Sequence, residues 1–241
     1  MIFKIKIAEK IIEIHSLYND VYNYCTEYLS QEEKKDITIE ITRQDILFEK
    51  EKSSREQLFE GKDPTAFPES YLEITTVYRK ICVALTDYNI FLMHGSVVAV
   101  DNKAYLFTAP SGTGKTFHIN LWLKHIEGSY VVNGDKPLLS VRDEVFACGT
   151  PWSGKEKMHT NSIVKLKAIV LLERSHKNEI TEISPKEAFS VILGQAYRTT
   201  EKKQMLKTIE LINKTISKVK LYRLKCNMQD EAAITAYEFI K

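Results

Sequence analysis

The octapeptide Ala109-Pro110-Ser111-Gly112-Thr113-Gly114-Lys115-Thr116 constrains this chain more than any other feature. A glycine-rich loop of this kind works only when a strand delivers it and a helix receives it. Both flanks are legible: residues 104–108 form an apolar strand pattern, and residues 116–127 carry Ile119, Leu121, Trp122, Leu123 and Ile126 mostly on one side of a helix. In such a loop Ser111, Gly112, Thr113 and Gly114 turn backbone N–H groups around phosphate oxygens. Lys115 adds a cation near the β- and γ-phosphates, and the Thr116 hydroxyl is placed to ligate Mg²⁺. The positive end of the helix dipole faces the same anion. Ala109 stands where the full pattern has glycine. The implied ligand is ATP or another nucleoside triphosphate with Mg²⁺. A Gly-Ser turn that binds nothing is the alternative, and the two flanking elements argue against it.

Composition sets bounds around this loop. The 241 residues, 44% of them hydrophobic with 9 Gly and 6 Pro, suffice for one sizeable core and a smaller satellite. A formal net charge of +2 gives no electrostatic case for nucleic acid or for acidic membranes, so phosphate chemistry must be local. Cys25, Cys82, Cys148 and Cys226 are too scattered for a metal cluster or redox pair and suit a reducing compartment. The first seven residues alternate charged and apolar side chains, the pattern of a half-buried strand rather than a signal segment. No stretch approaches the length of a membrane span, so a cytoplasmic location is expected.

Along the chain the pattern predicts a small N-terminal α/β subdomain, residues 1–65, and a nucleotide-binding domain, residues 66–241. The first has strands over 2–8 and 37–42 and helices over 16–29 and 44–51. The 16–29 helix would place Leu17, Val21, Tyr24 and Tyr28 on one face. A polar stretch, 51–68, carries Gly61 and Pro64 and reads as a connection. A helix over 69–88 follows with Leu72, Val77, Ile81 and Leu85 as its stripe, then one strand over 91–100, a short turn at 101–103, and the strand before the phosphate loop. That strand is thus the second arm of an antiparallel hairpin, which separates this α/β chain from doubly wound sheets entered by parallel crossovers and predicts a mixed sheet. Beyond the loop helix the pattern gives strands over 130–132, 137–141, 145–149, 165–172 and 220–224. Helices are expected from a capping box at Ser184-Pro185-Lys186-Glu187, over 200–218 and over 229–240.

Phosphoryl transfer needs a carboxylate near the γ-phosphate, to hold metal or to accept the proton of the receiving hydroxyl. Asp135 is the leading candidate, at a glycine-flanked turn after an apolar strand; a turn aspartate bonded to its own backbone is the alternative. Glu173, at the end of the 165–172 strand, is the rival acid, with Arg174 beside it as a simple partner. His94 precedes Gly95-Ser96 at the start of the hairpin and by itself reads equally as a structural histidine. The loop Gly149-Thr150-Pro151-Trp152-Ser153-Gly154-Lys155 could hold phosphate or the acceptor through Lys155, or simply pack its tryptophan. Arg198, expected at the end of the helix begun at Pro185, could stabilise transition-state charge or be a solvated helix-end cation.

Met93-His94-Gly95-Ser96, the phosphate loop and the strand-ending Asp135 together resemble the HPr kinase/phosphorylase family, whose fold is phosphoenolpyruvate carboxykinase-like. The resemblance runs from about residue 91 to the mid-150s. The Gly149 to Lys155 loop and the N-terminal layer look more like a divergent branch found in bacterial peptide-modification clusters, some of whose members are peptide serine kinases. The resemblance implies His94 beside the loop, residues 111–116 on the nucleotide phosphates and Mg²⁺, and Asp135 as catalytic aspartate and metal ligand. Lys136 stands where the family has a second acid, and the Trp152 loop replaces its Glu-Ile-Arg-Gly signature. Neither a second metal ligand nor a phosphorylase reaction is therefore implied, nor HPr as the substrate. The expected activity is that of an ATP- and Mg²⁺-dependent kinase acting on a hydroxyl, with serine the expected acceptor, of a peptide, protein or small molecule. A homo-oligomer is compatible with the sequence. The rival readings are a carboxykinase-like lyase and a catalytically inactive nucleotide-binding accessory protein.

Overall fold

The computed structural model describes residues 1–59 and 61–241, which divide into two compact units, Met1–Ala84 and Leu85–Lys241. The break in packing thus falls near the end of a helix, whereas composition draws it earlier, in the polar stretch before that helix.

The first unit begins with a hairpin. β1 (Ile2–Ile7) pairs antiparallel with β2 (Lys10–His15) across Ala8 and Glu9, both at positive φ (51° and 64°). Such two-residue turns are normally built from Asn or Gly, so this sequence gives no turn signal and the second strand is a correction to the expected layout. The helix expected over 16–29 shrinks to α1 (Asp20–Tyr24) and a 3₁₀ turn, Thr26–Tyr28. Val21 and Tyr28 are buried but Leu17 is exposed. β3 (Ile37–Glu40) joins β2 in parallel. α2 (Arg43–Phe59) then runs well into the stretch expected as a connection, because its Glu, Lys, Arg and Gln residues are good helix formers whatever their polarity. Glu60, also in that stretch, lies outside the described residues. α3 (Glu69–Leu85) buries Leu72, Val77, Ile81 and Leu85 as its spacing predicts. A 3₁₀ turn, Thr86–Tyr88, closes on Asn89 in the left-handed region, which asparagine tolerates.

The second unit is mixed α/β. In chain order its elements are β4 (Ile90–Leu92), β5 (Ser96–Val100), β6 (Lys103–Thr108), α4 (Lys115–His125), β7 (Tyr130–Asn133), β8 (Leu138–Val141), β9 (Val145–Cys148), β10 (Ile163–Arg174), β11 (Glu179–Glu182), α5 (Pro185–Gln195), α6 (Lys202–Lys218), β12 (Lys220–Cys226) and α7 (Glu231–Ile240). The strands form one mixed sheet in the order β4-β8-β9-β10-β6-β5-β7. On its other edge β10 meets β9 at its start and, parallel to it, β12 further along; β11 pairs with β12. β6 lies antiparallel to β5, with Val97 opposite Leu106 and Ala99 opposite Ala104, and parallel to β10. The hairpin expectation is met. Residues 91–100 are however two strands, not one: β4 pairs with β8 while β5 pairs with β6 and β7, and the chain changes partner at Met93, His94 and Gly95. β11 is a strand the sequence pattern did not suggest.

Alternate side chains of the central strands enter two cores. Leu106, Ile169 and Leu221 pack with Leu139, Ala147, Ile192, Leu211 and Ile212 on the face covered by α5 and α6. Tyr105, Phe107, Val170 and Leu224 pack with Ile119, Trp122, Ala233 and Ala236 on the face covered by α4 and α7. This double covering is why these strands read as continuous apolar runs. Truncating any of these large side chains to alanine would cost about 2–5 kcal/mol. Among the described residues no helix is long and apolar enough to cross a membrane.

Candidate functional site

The phosphate loop joins β6 to α4 with two glycines in conformations other residues resist, Gly112 at φ 78° and Gly114 at φ 117°. A Cβ on either would meet nothing within 4 Å, so these glycines serve backbone shape and leave the concave side of the loop open. Lys115 is 8% exposed and its ammonium folds back to donate to the carbonyls of Ala109 (2.8 Å) and Pro110 (3.4 Å). Burial lowers its pKa, against an opposing pull from the Asp135 carboxylate. Ser111 and Gly112 are exposed, and Thr116 is half-buried in the first turn of α4. Arg174, at the end of β10, braces the loop from outside: its Nε donates to the Thr113 carbonyl at 3.2 Å and its guanidinium also donates to that of Gly112.

His94 and Asp135 are brought together by backbone as well as side chains. The His94 amide donates to the Gln195 carbonyl (2.8 Å), the His94 carbonyl accepts from the buried Thr108 hydroxyl (2.8 Å), and the Gly95 amide donates to the Asp135 carbonyl (2.9 Å). Gly95 itself is required there, since a Cβ would stand 2.7 Å from Leu106 and 2.9 Å from the Phe107 carbonyl oxygen. The result is a short chain of polar groups. Gln195 Oε1 lies 2.9 Å from His94 Nδ1, and His94 Nε2 lies 3.2 Å from Asp135 Oδ1. With an oxygen at each nitrogen, the ring donates to both only when doubly protonated. Burial pushes the Asp135 carboxyl up, but the His94 hydrogen bond and the charges of Lys136, His94 and Lys115 outweigh it and hold the group below its ordinary value. Among the described residues Oδ2 of Asp135 has no hydrogen-bond partner, so one oxygen is anchored and one remains for chemistry.

Asn133 makes the Asp135 turn. Its fully buried side chain accepts from the amides of Asp135 (2.9 Å) and Lys136 (2.7 Å) and donates to the Thr150 carbonyl (3.0 Å) and hydroxyl (2.9 Å). The loop of residues 149–155 is thereby pinned beneath Asp135, with Thr150, Trp152 and Ser153 buried. Gly149 is a packing requirement: a Cβ would overlap the Thr160 carbonyl oxygen and stand 2.8 Å from that of Val132. Gly154 lies against Asp135, where an added Cβ would be 3.0 Å from the aspartate's own.

Lys115, His94 and Asp135 therefore cluster at the mouth of the phosphate loop. Lys155, beside Gly154, is exposed. α5 ends at Gln195, so Arg198 is not on it as expected but lies exposed beyond the Ala196 bridge to Met93. Glu173 forms an ion pair with Arg223 at 2.8 Å, and Arg174 turns to the phosphate loop instead of to Glu173. Sequence reasoning missed Gln195, Asn133 and Arg174. Of these only Asn133, in an Asn-Gly-Asp run, carried a signal, that of an asparagine-bonded turn.

No family model matches the chain, and no curated protein matches it. Among solved structures it is similar to the HPr(Ser) kinase/phosphatase from Coxiella burnetii, at 8% identity and a TM-score of 0.36, over 61% of this chain and 96% of that one. A likeness of that degree carries no weight in the functional argument, which rests on the site itself.

Proposed function

We propose that the second unit is an ATP- and Mg²⁺-dependent kinase that moves the γ-phosphate to a hydroxyl, in the first place a serine's, of a peptide, protein or small molecule. The observation that carries this reading is a glycine-shaped phosphate loop bearing Lys115 together with Asp135, whose Oδ1 is anchored 3.2 Å from His94 Nε2 while Oδ2 is left without a protein partner among the described residues. Such a pair offers a cation for the transferring phosphoryl group and a base for the attacking hydroxyl. The hairpin that feeds the loop supports the finer fold reading, a phosphoenolpyruvate carboxykinase-like core.

In this mechanism the amides of residues 111, 112 and 114 hold the phosphates, that of Thr113 being given to the Pro110 carbonyl at 3.3 Å, and Lys115 leaves the loop carbonyls to neutralise charge on them. Oδ2 of Asp135 takes the hydroxyl proton, while Oδ1 stays bonded to His94, whose orientation Gln195 fixes. Thr116 and Asp135 are the residues that would hold Mg²⁺, which would neutralise phosphate charge. Among the described residues no three His, Cys, Asp or Glu side chains cluster as a metal site. A donor set of one hydroxyl and one carboxylate beside phosphate suits Mg²⁺, which keeps several waters.

Asp135→Asn tests the reading. The amide preserves shape but cannot accept the proton, so ATP turnover, with water or with the acceptor, should fall by about 10² to 10⁴ while Mg-ATP affinity stays within a few-fold. Turnover equal to wild type would return Asp135 to the role of a turn residue.

A further inference from the structure

The phosphate loop has a second flank. His94 and Asp135 stand on the β5 and β7 side of β6; on the β10 and β12 side lies a small pocket whose wall includes Gly114, Phe117, His118, Cys226 and Met228. Two of its side chains are apolar yet open to solvent, Phe117 at 37% and Met228 at 64% exposure. His118 is the reverse, polar and only 3% exposed. Its Nε2 accepts the indole N–H of Trp122 at 3.1 Å and its ring packs on Phe107, with centroids 4.6 Å apart. Burial lowers its pKa to about 4, so near neutrality the ring is uncharged, and because Nε2 is the acceptor its single proton sits on Nδ1. Among the described residues that Nδ1–H has no hydrogen-bond partner. Nδ1 itself is not fully enclosed, and His118 lines the pocket, so this proton can be given to a ligand acceptor there.

We propose that this pocket seats the nucleoside of the bound triphosphate, the base lying against Phe117 and Met228 and a purine nitrogen or ribose oxygen accepting the His118 Nδ1–H. The inference rests on the triphosphate reading of the loop. If the γ-phosphate faces Lys115 and Asp135, the rest of the nucleotide must leave toward the opposite flank, past Gly114 and the first turn of α4. The donor is then a nucleoside triphosphate rather than an inorganic polyphosphate, which would use the loop but leave the pocket idle.

Calorimetric titration of the full chain with Mg-ATP and, separately, with Mg-tripolyphosphate tests this. Wild type should bind Mg-ATP about tenfold more tightly or better, the worth of one base stacked on an aromatic ring. The double variant Phe117→Ser, Met228→Ser alters only exposed side chains; it should lose most of that preference and keep its tripolyphosphate affinity. His118→Phe should do the same, but it also strips Trp122 of its acceptor, so the surface variant is the deciding one. Equal wild-type affinities, or an ATP preference that survives the double variant, would overturn the pocket and leave the loop reading standing. Binding of neither ligand would overturn both.

Discussion

Two glycine-bounded loops approach Asp135, and they use glycine for opposite ends. In the phosphate loop Gly112 and Gly114 have positive φ and empty space where a Cβ would go, so the backbone bends and the concavity stays open. In the loop of residues 149–155, Gly149 is surrounded by the carbonyl oxygens of Thr160 and Val132, and Thr150, Trp152 and Ser153 are buried. The first loop makes room for a ligand; the second makes room for the protein. What the second contributes to the site is therefore the position of Asp135, through Asn133, rather than a second phosphate cradle.

Glycine substitutions are the sharpest way to break this contrast. Gly149→Ala should destabilise the fold by about 3 kcal/mol, because a backbone carbonyl cannot swing aside as a side chain can. Chemical denaturation measures it. Gly114→Ala should cost only about 1–2 kcal/mol of backbone strain yet remove most of the stabilisation given by Mg-ATP. Should Gly149→Ala prove neutral, or Gly114→Ala leave the nucleotide response intact, the two loops are not the different devices described here.

A smaller effect separates the loops by pH. Asp135 has a depressed folded pKa, so its contribution to stability is complete above the unfolded aspartate value of about 4 and is lost as pH falls through the folded value. Asp135→Asn should therefore unfold with a shallower dependence on acid than wild type below about pH 5. Gly114→Ala should keep the wild-type slope. Identical slopes for wild type and Asp135→Asn would mean that His94 and Lys115 do not hold the carboxylate as the geometry indicates.

Two hairpins show how far the fold is legible in the sequence. Both turn on a pair of residues at positive φ, Asp101-Asn102 in one and Ala8-Glu9 in the other. The first pair tolerates that conformation and announces itself; the second has no such chemistry and is held by its strands, so β2 could not be read. The long helices with apolar stripes were legible for the same local reason, and the phosphate loop because its glycines carry its conformation. The division of 91–100 into β4 and β5 was not, since an apolar run does not say which strand it pairs with. In the site, His94 and Asp135 stood out as residue types at turn positions. Gln195 did not, for it meets His94 only through packing that brings the end of α5 back to the start of β5. Contacts made by distant segments leave no periodicity to find.

The central claim is that residues 109–116 hold a triphosphate, and thermal unfolding with and without Mg-ATP tests it most directly. At a hundred times the dissociation constant the ligand should add about 2.7 kcal/mol, which for a chain of this size raises the midpoint by about 5–10 °C. Lys115→Ala should fold and lose most of that rise. A wild-type midpoint unmoved by saturating Mg-ATP, or a Lys115→Ala variant that responds as wild type does, would contradict the account.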